Sequence, residues 1–96
     1  MKPRFLIVDD ESSIRSVLAE ILRTEGYRVD AVESGEKCLE RVGRQSYDVI
    51  MLDVWLPGMD GLATLERLRA SHVDAQIVVI SGDGNIESAV RAIKLG

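Results

Sequence analysis

The sequence has one cysteine, one histidine, one tryptophan and two prolines in 96 residues, and only 4% of it is aromatic. A lone cysteine can form no internal disulfide and offers no thiolate cluster for zinc, which fits a reducing compartment. Cys38 reads as a small buried helix residue. The lone histidine, His72, stands in the polar stretch 70–74 with no serine or cysteine arranged beside it for a triad, and reads as a surface loop residue. No apolar run approaches the roughly 20 residues of a membrane-spanning helix. Met1-Lys2-Pro3-Arg4 leads into too short an apolar stretch before Asp9 to be a signal sequence, so the expected location is the cytoplasm. Basic residues are outnumbered, 12 against 16, for a net charge of −4, which argues against this segment gripping nucleic acid by its phosphates. Repeats, low-complexity stretches and linkers are also missing, so residues 1–96 are expected to form one domain. With 46% hydrophobic residues that domain can build one core, burying roughly 60 to 68% of the surface its unfolded chain exposes.

What is present is an alternation. Four short runs rich in β-branched residues, 5–8, 29–32, 49–52 and 77–80, are too short for helices and read as strands. Between them lie helical patterns. The clearest places Ile14, Val17, Leu18, Ile21 and Leu22 on one face, with Ser12 or Ser13 as the start signal and Gly26 as the stop. The second helix follows Ser34-Gly35 with Cys38, Leu39 and Val42 inward, and the third follows Asp60-Gly61 with Leu62, Leu65 and Leu68 inward. A fourth starts near Asn85 and puts Ile86, Ala89, Val90 and Ile93 on one stripe. Strict alternation of strand and helix implies an α/β fold with a parallel sheet and helices on both faces. Strands one, three and four are continuously apolar and read as central; the second, 27–32, alternates apolar with charged and reads as an edge. A strand order of 2-1-3-4 accommodates this except at strand four, which has no further strand beside it.

In open parallel sheets sites form beyond the carboxyl ends of the strands, where the strand order reverses. Strand one ends in Val8-Asp9-Asp10 and strand three in Leu52-Asp53, so three carboxylates from adjacent strands converge there. Each Asp alone has an ordinary role open to it, capping a helix or beginning a turn. Three together repel, and a hard divalent cation such as Mg²⁺ relieves that repulsion. A carboxylate beside such a cation can also act as a nucleophile toward a phosphoryl group. After Asp53, Pro57 and Gly58 turn the chain back toward a helix capped by Asp60, and Trp55 reads as cover for that helix. Ser81-Gly82 at the end of strand four offers a hydroxyl and backbone N–H groups to phosphoryl oxygens, or is an ordinary strand-end turn. The run Gly82-Asp83-Gly84-Asn85-Ile86-Glu87 begins like a dinucleotide fingerprint but has Glu87 for the last glycine and follows the wrong strand.

Asp9-Asp10, Asp53, Leu56-Pro57 with Asp60-Gly61, and Ser81-Gly82 together resemble the receiver domain of two-component response regulators, over the whole chain. Residues 81–96 further resemble the receivers of sigma-54-dependent activators of the nitrogen-regulation type. The resemblance implies a flavodoxin-like (CheY-like) sheet and phosphorelay signalling, in which Asp53 accepts a phosphoryl group from a phosphohistidine on a sensor kinase. It implies Mg²⁺ held directly by Asp10, largely through water by Asp9, and by Asp53 and the backbone carbonyl of Trp55. Ser81, with Gly82, would bind the phosphoryl group and draw strand four and its helix into the active state, a population shift of about 1 to 3 kcal/mol.

The family also has a fifth strand, bearing an aromatic switch residue and a lysine that contacts the phosphoryl group, and a fifth helix. The sequence ends at Lys94-Leu95-Gly96 without them, and Lys94 falls on the fourth helix, so no lysine fills that role. The expectation is a C-terminally truncated receiver, with its transcription-regulating output domain absent, that pairs with a second copy through strand four or helix four. Two further functions compete. A phosphoryl-transfer hydrolase using Asp53 needs a second acid/base Asp close after it, and position 55 is Trp. A non-catalytic module would only dimerise or compete for the kinase.

Overall fold

The computed structural model describes residues 2–53 and 61–80. Their elements run β1 (Arg4–Val8), α1 (Ser12–Thr24), β2 (Arg28–Val32), α2 (Gly35–Val42), β3 (Val49–Asp53), α3 (Gly61–Ala70) and β4 (Gln76–Ile80). All strand pairs are parallel and the order is β2-β1-β3-β4, as the alternation of elements required. The expected fourth helix lies outside the described residues.

Pleating sorts the side chains of β1 onto two faces. Leu6 and Val8 join Val32, Cys38, Tyr47, Ile50, Leu52 and Leu68 in a core under α2 and α3. Phe5 and Ile7 join Leu18, Ala19, Leu22, Val29 and Met51 in a second core under α1. Helices therefore cover both faces, and β1 and β3, sandwiched between them, are buried along nearly their whole length. Strand β2 is an edge. Strand β4 is as apolar in sequence as the central strands, yet it ends the sheet among the described residues and Val79 on it is 47% exposed.

The helix ends show how local sequence sets the boundaries. Helix α2 starts where Ser34, in extended conformation, accepts a hydrogen bond from the Lys37 amide at 3.2 Å. Helix α1 differs from expectation: Glu11 occupies the N-cap position and its side chain makes no cap bond, so Ser12 is the first helical residue rather than the cap. Its far end closes as Gly26 predicts. Gly26 has φ +92°, its amide donates to the Arg23 carbonyl at 2.9 Å, and the Tyr27 amide donates to the Leu22 carbonyl at 3.1 Å. The same pair of bonds closes α3, with His72 at φ +54° in the glycine's place, its amide 3.2 Å from the Arg69 carbonyl. The exposed His72 is thus a helix terminator.

In α3 the buried positions are Gly61, Thr64 and Leu68, with Leu65 partly covered. Leu62 is 60% exposed, so it does not face inward as its hydrophobicity suggested. The spacing explains it: 61, 64, 65 and 68 form one helical stripe, and 62 is about 100° away from 61. Cys38 is fully buried, and burial pushes its thiol up to about 11, consistent with a structural role.

One polar tie crosses the edge of the fold. The buried Tyr47 donates its hydroxyl to Asp30 Oδ2 on β2 at 2.7 Å, and burial, followed by that bond, pushes its phenol up to about 12. Tyr47→Phe is expected to cost about 1.5 kcal/mol, the lower range for a hydrogen bond to a charged group, because Asp30 is only half-buried. Urea denaturation of the two proteins measures it, and equal stability would show the bond to be replaceable by water.

Candidate metal and phosphoacceptor site

Two strand ends build the site. The parallel register pairs Val8 with Leu52, so the next residues, Asp9 and Asp53, come side by side at the carboxyl edge of the sheet. A continuous apolar strand carries each carboxylate to the rim and stops there. Asp9 is held by backbone and side chain together. Its amide donates to the Val32 carbonyl of β2 at 3.1 Å, its carboxylate accepts from the Glu11 amide at 2.9 Å, and its own carbonyl accepts from Arg15 Nη1 at 2.8 Å.

Asp9, Asp10 and Asp53 each present an oxygen within 4.8 Å of the others. Asp9 and Asp53 are 3% and 4% exposed, and Asp10 is open to solvent. Burial holds the Asp9 carboxyl above its ordinary value; the Glu11 amide opposes that shift, and the charges of Asp53, Asp10 and Glu11 add to it. Such a group is ionised at a cost in the fold. The donor set is all carboxylate oxygen, with two of the three groups withdrawn from water. These are the conditions under which a hard divalent cation fits, and Mg²⁺ is commonly held by a few carboxylates with its remaining positions on water.

Of the site residues expected from the sequence, Asp9, Asp10 and Asp53 are brought together. Trp55, Ser81 and Gly82 lie outside the described residues. Sequence reading missed Arg15, whose guanidinium fastens the Asp9 carbonyl from four residues beyond Glu11. There was a signal for it. A cation near the N-terminus of a helix, where the macrodipole favours anions and the first turn of α1 holds no acidic residue, calls for a specific partner.

The geometry of a two-strand carboxylate cluster at the switch point of a 2-1-3-4 sheet agrees with the family comparison. The family model described as the response regulator receiver domain matches residues 5–96. The chain belongs to that family. It is 42% identical over 93 residues to the nitrogen assimilation regulatory protein NtrX of Azorhizobium caulinodans, covering 95% of this chain and 20% of that protein. It is 36% identical over 91 residues to the transcriptional regulatory protein ZraR of Escherichia coli K12, covering 95% of this chain and 21% of that one. The chain thus spans about a fifth of the length of these curated relatives. Among solved structures, the response regulator protein TrrA of Thermotoga maritima, in complex with Mg²⁺ and BeF, superimposes with a TM-score of 0.78 at 41% identity. That match covers 84% of this chain and 70% of TrrA. The nitrogen-regulation resemblance of the receiver is carried by the NtrX match, and the CheY-like fold by the structural ones. Receiver domains are regulatory phosphoacceptors with an acidic Mg²⁺ pocket rather than enzymes in the usual sense. No helix among the described residues is long and apolar enough to cross a membrane.

Proposed function

We propose that residues 1–96 form one receiver unit in which Asp53 accepts a phosphoryl group from a phosphohistidine on a sensor histidine kinase, in a Mg²⁺-dependent step. The reading rests on one observation above all, the meeting of three carboxylates within 4.8 Å at the ends of β1 and β3. Asp9, Asp10 and Asp53, with the backbone carbonyl of Trp55, would hold the metal, and Ser81 and Gly82 would bind the phosphoryl oxygens. In the transfer an Asp53 oxygen forms a bond to phosphorus as the P–N bond to histidine breaks, and the imidazole leaves with the bonding pair. Bound Mg²⁺ supplies neutralisation of the charge on the phosphoryl oxygens and the carboxylates around them. The chain's own residues do the rest: the ends of β1 and β3 orient the cluster, and Arg15 on α1 keeps Asp9 in place.

We extend the reading to a cytoplasmic regulator of transcription of the sigma-54-dependent kind that would act on DNA through an output domain; the regulatory names of the NtrX and ZraR relatives support the transcriptional part. Intact-mass measurement after incubation with Mg²⁺ and a small phosphoryl donor tests the core of it. The wild-type chain gains one phosphoryl group, Asp53→Asn gains none, and EDTA suppresses the gain. Equal gain in wild type and variant would place the acceptor elsewhere, and no gain in either would remove the phosphoacceptor reading for this chain.

The same proposal includes self-association through β4 or through the fourth helix expected from the sequence, since Val79 on β4 leaves apolar surface in water at the end of the described sheet. Light scattering at micromolar concentration is expected to give a mass above that of one chain, decreasing toward it in Val79→Lys. A wild-type mass equal to one chain would remove the self-association.

A further inference from the structure

Beside the acidic cluster, on the far side of Asp9 from Asp53, a groove of about 370 Å³ opens at the carboxyl end of the edge strand β2, between α1 and α2. Its walls carry Arg15, Lys37, Arg41 and Arg44 against Glu33 and Glu40, an excess of two positive charges (4 − 2) on a chain whose net charge is −4. The geometry points to this groove as a docking site for an acidic, extended peptide segment of a partner protein.

Three features favour that occupant. First, the cations are available. Lys37 and Arg44 pair with Glu33 and Glu40 at 3.4 Å, but all four side chains are more than half exposed, and such pairs exchange readily for another carboxylate. Second, one cation is fixed in advance: Arg15 is half-buried, and its bond to the Asp9 carbonyl at 2.8 Å spares a ligand the cost of ordering it. Third, Ala31 and Val32 bring the last backbone groups of an edge strand to the groove wall, where an extended chain can use them. A second copy of this chain fits poorly, because its own groove would bring the same positive excess.

Fluorescence anisotropy with labelled hexaglutamate, at low and physiological salt, tests the site on the whole chain, with hexaglutamine as the neutral control. Hexaglutamate is expected to bind and hexaglutamine not, with affinity falling at least tenfold in Arg41→Gln/Arg44→Gln and falling with salt. Amide resonances that shift on titration should cluster at residues 31–44. The exposed positions of Arg41 and Arg44 make these variants safe for folding, which circular dichroism checks. No hexaglutamate binding at millimolar concentration, undiminished binding by the double variant, or shifts centred elsewhere would each overturn the site. Pyrophosphate binding as tightly as the peptide would overturn the assignment to an extended segment.

Discussion

In metal-free buffer Asp9→Asn is expected to be more stable than the wild type by about 1 to 3 kcal/mol, the repulsion of one unit-charge pair at the cluster's spacing for effective dielectric constants between about 80 and 20. Asparagine keeps an oxygen for the Glu11 amide, so the substitution removes charge while leaving the local turn intact. Mg²⁺ should work against that order, with a gain comparable to the gap. At a hundred times its dissociation constant it stabilises the wild type by about 2.7 kcal/mol, and it does little for Asp9→Asn/Asp10→Asn. The pH dependence has a definite sign. Burial raises the Asp9 carboxyl in the folded chain above its ordinary value of 3.8, so the fold prefers the protonated acid. The stability this contributes is fully present below pH 3.8 and lost as pH rises through the folded pKa. The advantage of Asp9→Asn therefore appears over that window and is largest near neutrality. Thermal or urea unfolding with EDTA and with Mg²⁺ measures all three effects. A less stable Asp9→Asn in EDTA would mean that Asp9 serves chiefly as the cap of the β1–α1 turn.

How far the sequence leads depends on whether a feature is written in one segment or in several. The strand order, the parallel pairing and the convergence of Asp9, Asp10 and Asp53 follow from local patterns plus the rule that strands of one sheet share a carboxyl edge, and the structure has them. Leu62 was misplaced because three leucines at a spacing of three look like a face, while the buried stripe through Gly61, Thr64 and Leu68 includes residues whose burial no hydrophobic scale predicts. His72 gave no sign of ending α3, since histidine is an unusual occupant of the left-handed position; only the two backbone bonds around it show the role. Arg15 and the Tyr47–Asp30 bond join residues from different elements, and such pairs emerge only once the fold has placed them. The groove at the carboxyl end of β2 is the extreme case, assembled from three elements, none of them unusual in composition.

Leu52→Ala is expected to cost about 2 to 5 kcal/mol in unfolding free energy and, unlike other core truncations, to weaken Mg²⁺ binding. Leu52 is fully buried, pairs with Val8 across β1 and β3, and immediately precedes Asp53. The separation of Asp9 from Asp53 is set by that last pair of the register, so a cavity there loosens the strand ends on which both carboxylates ride. Leu68→Ala is the matched control. Leu68 is also fully buried and lies in the same core, but on α3, where its loss thins the cover over the sheet without touching the β1–β3 ladder. Both variants should lose comparable stability, a large share of the 5–15 kcal/mol that small domains possess. Calorimetric titration at a temperature where both remain folded separates the effects: Mg²⁺ affinity falls severalfold in Leu52→Ala and stays near wild type in Leu68→Ala. Affinities near wild type in both variants would show that the carboxylates are placed by their own loops rather than by the strand register, and equal losses in both would show that the cluster senses only global stability.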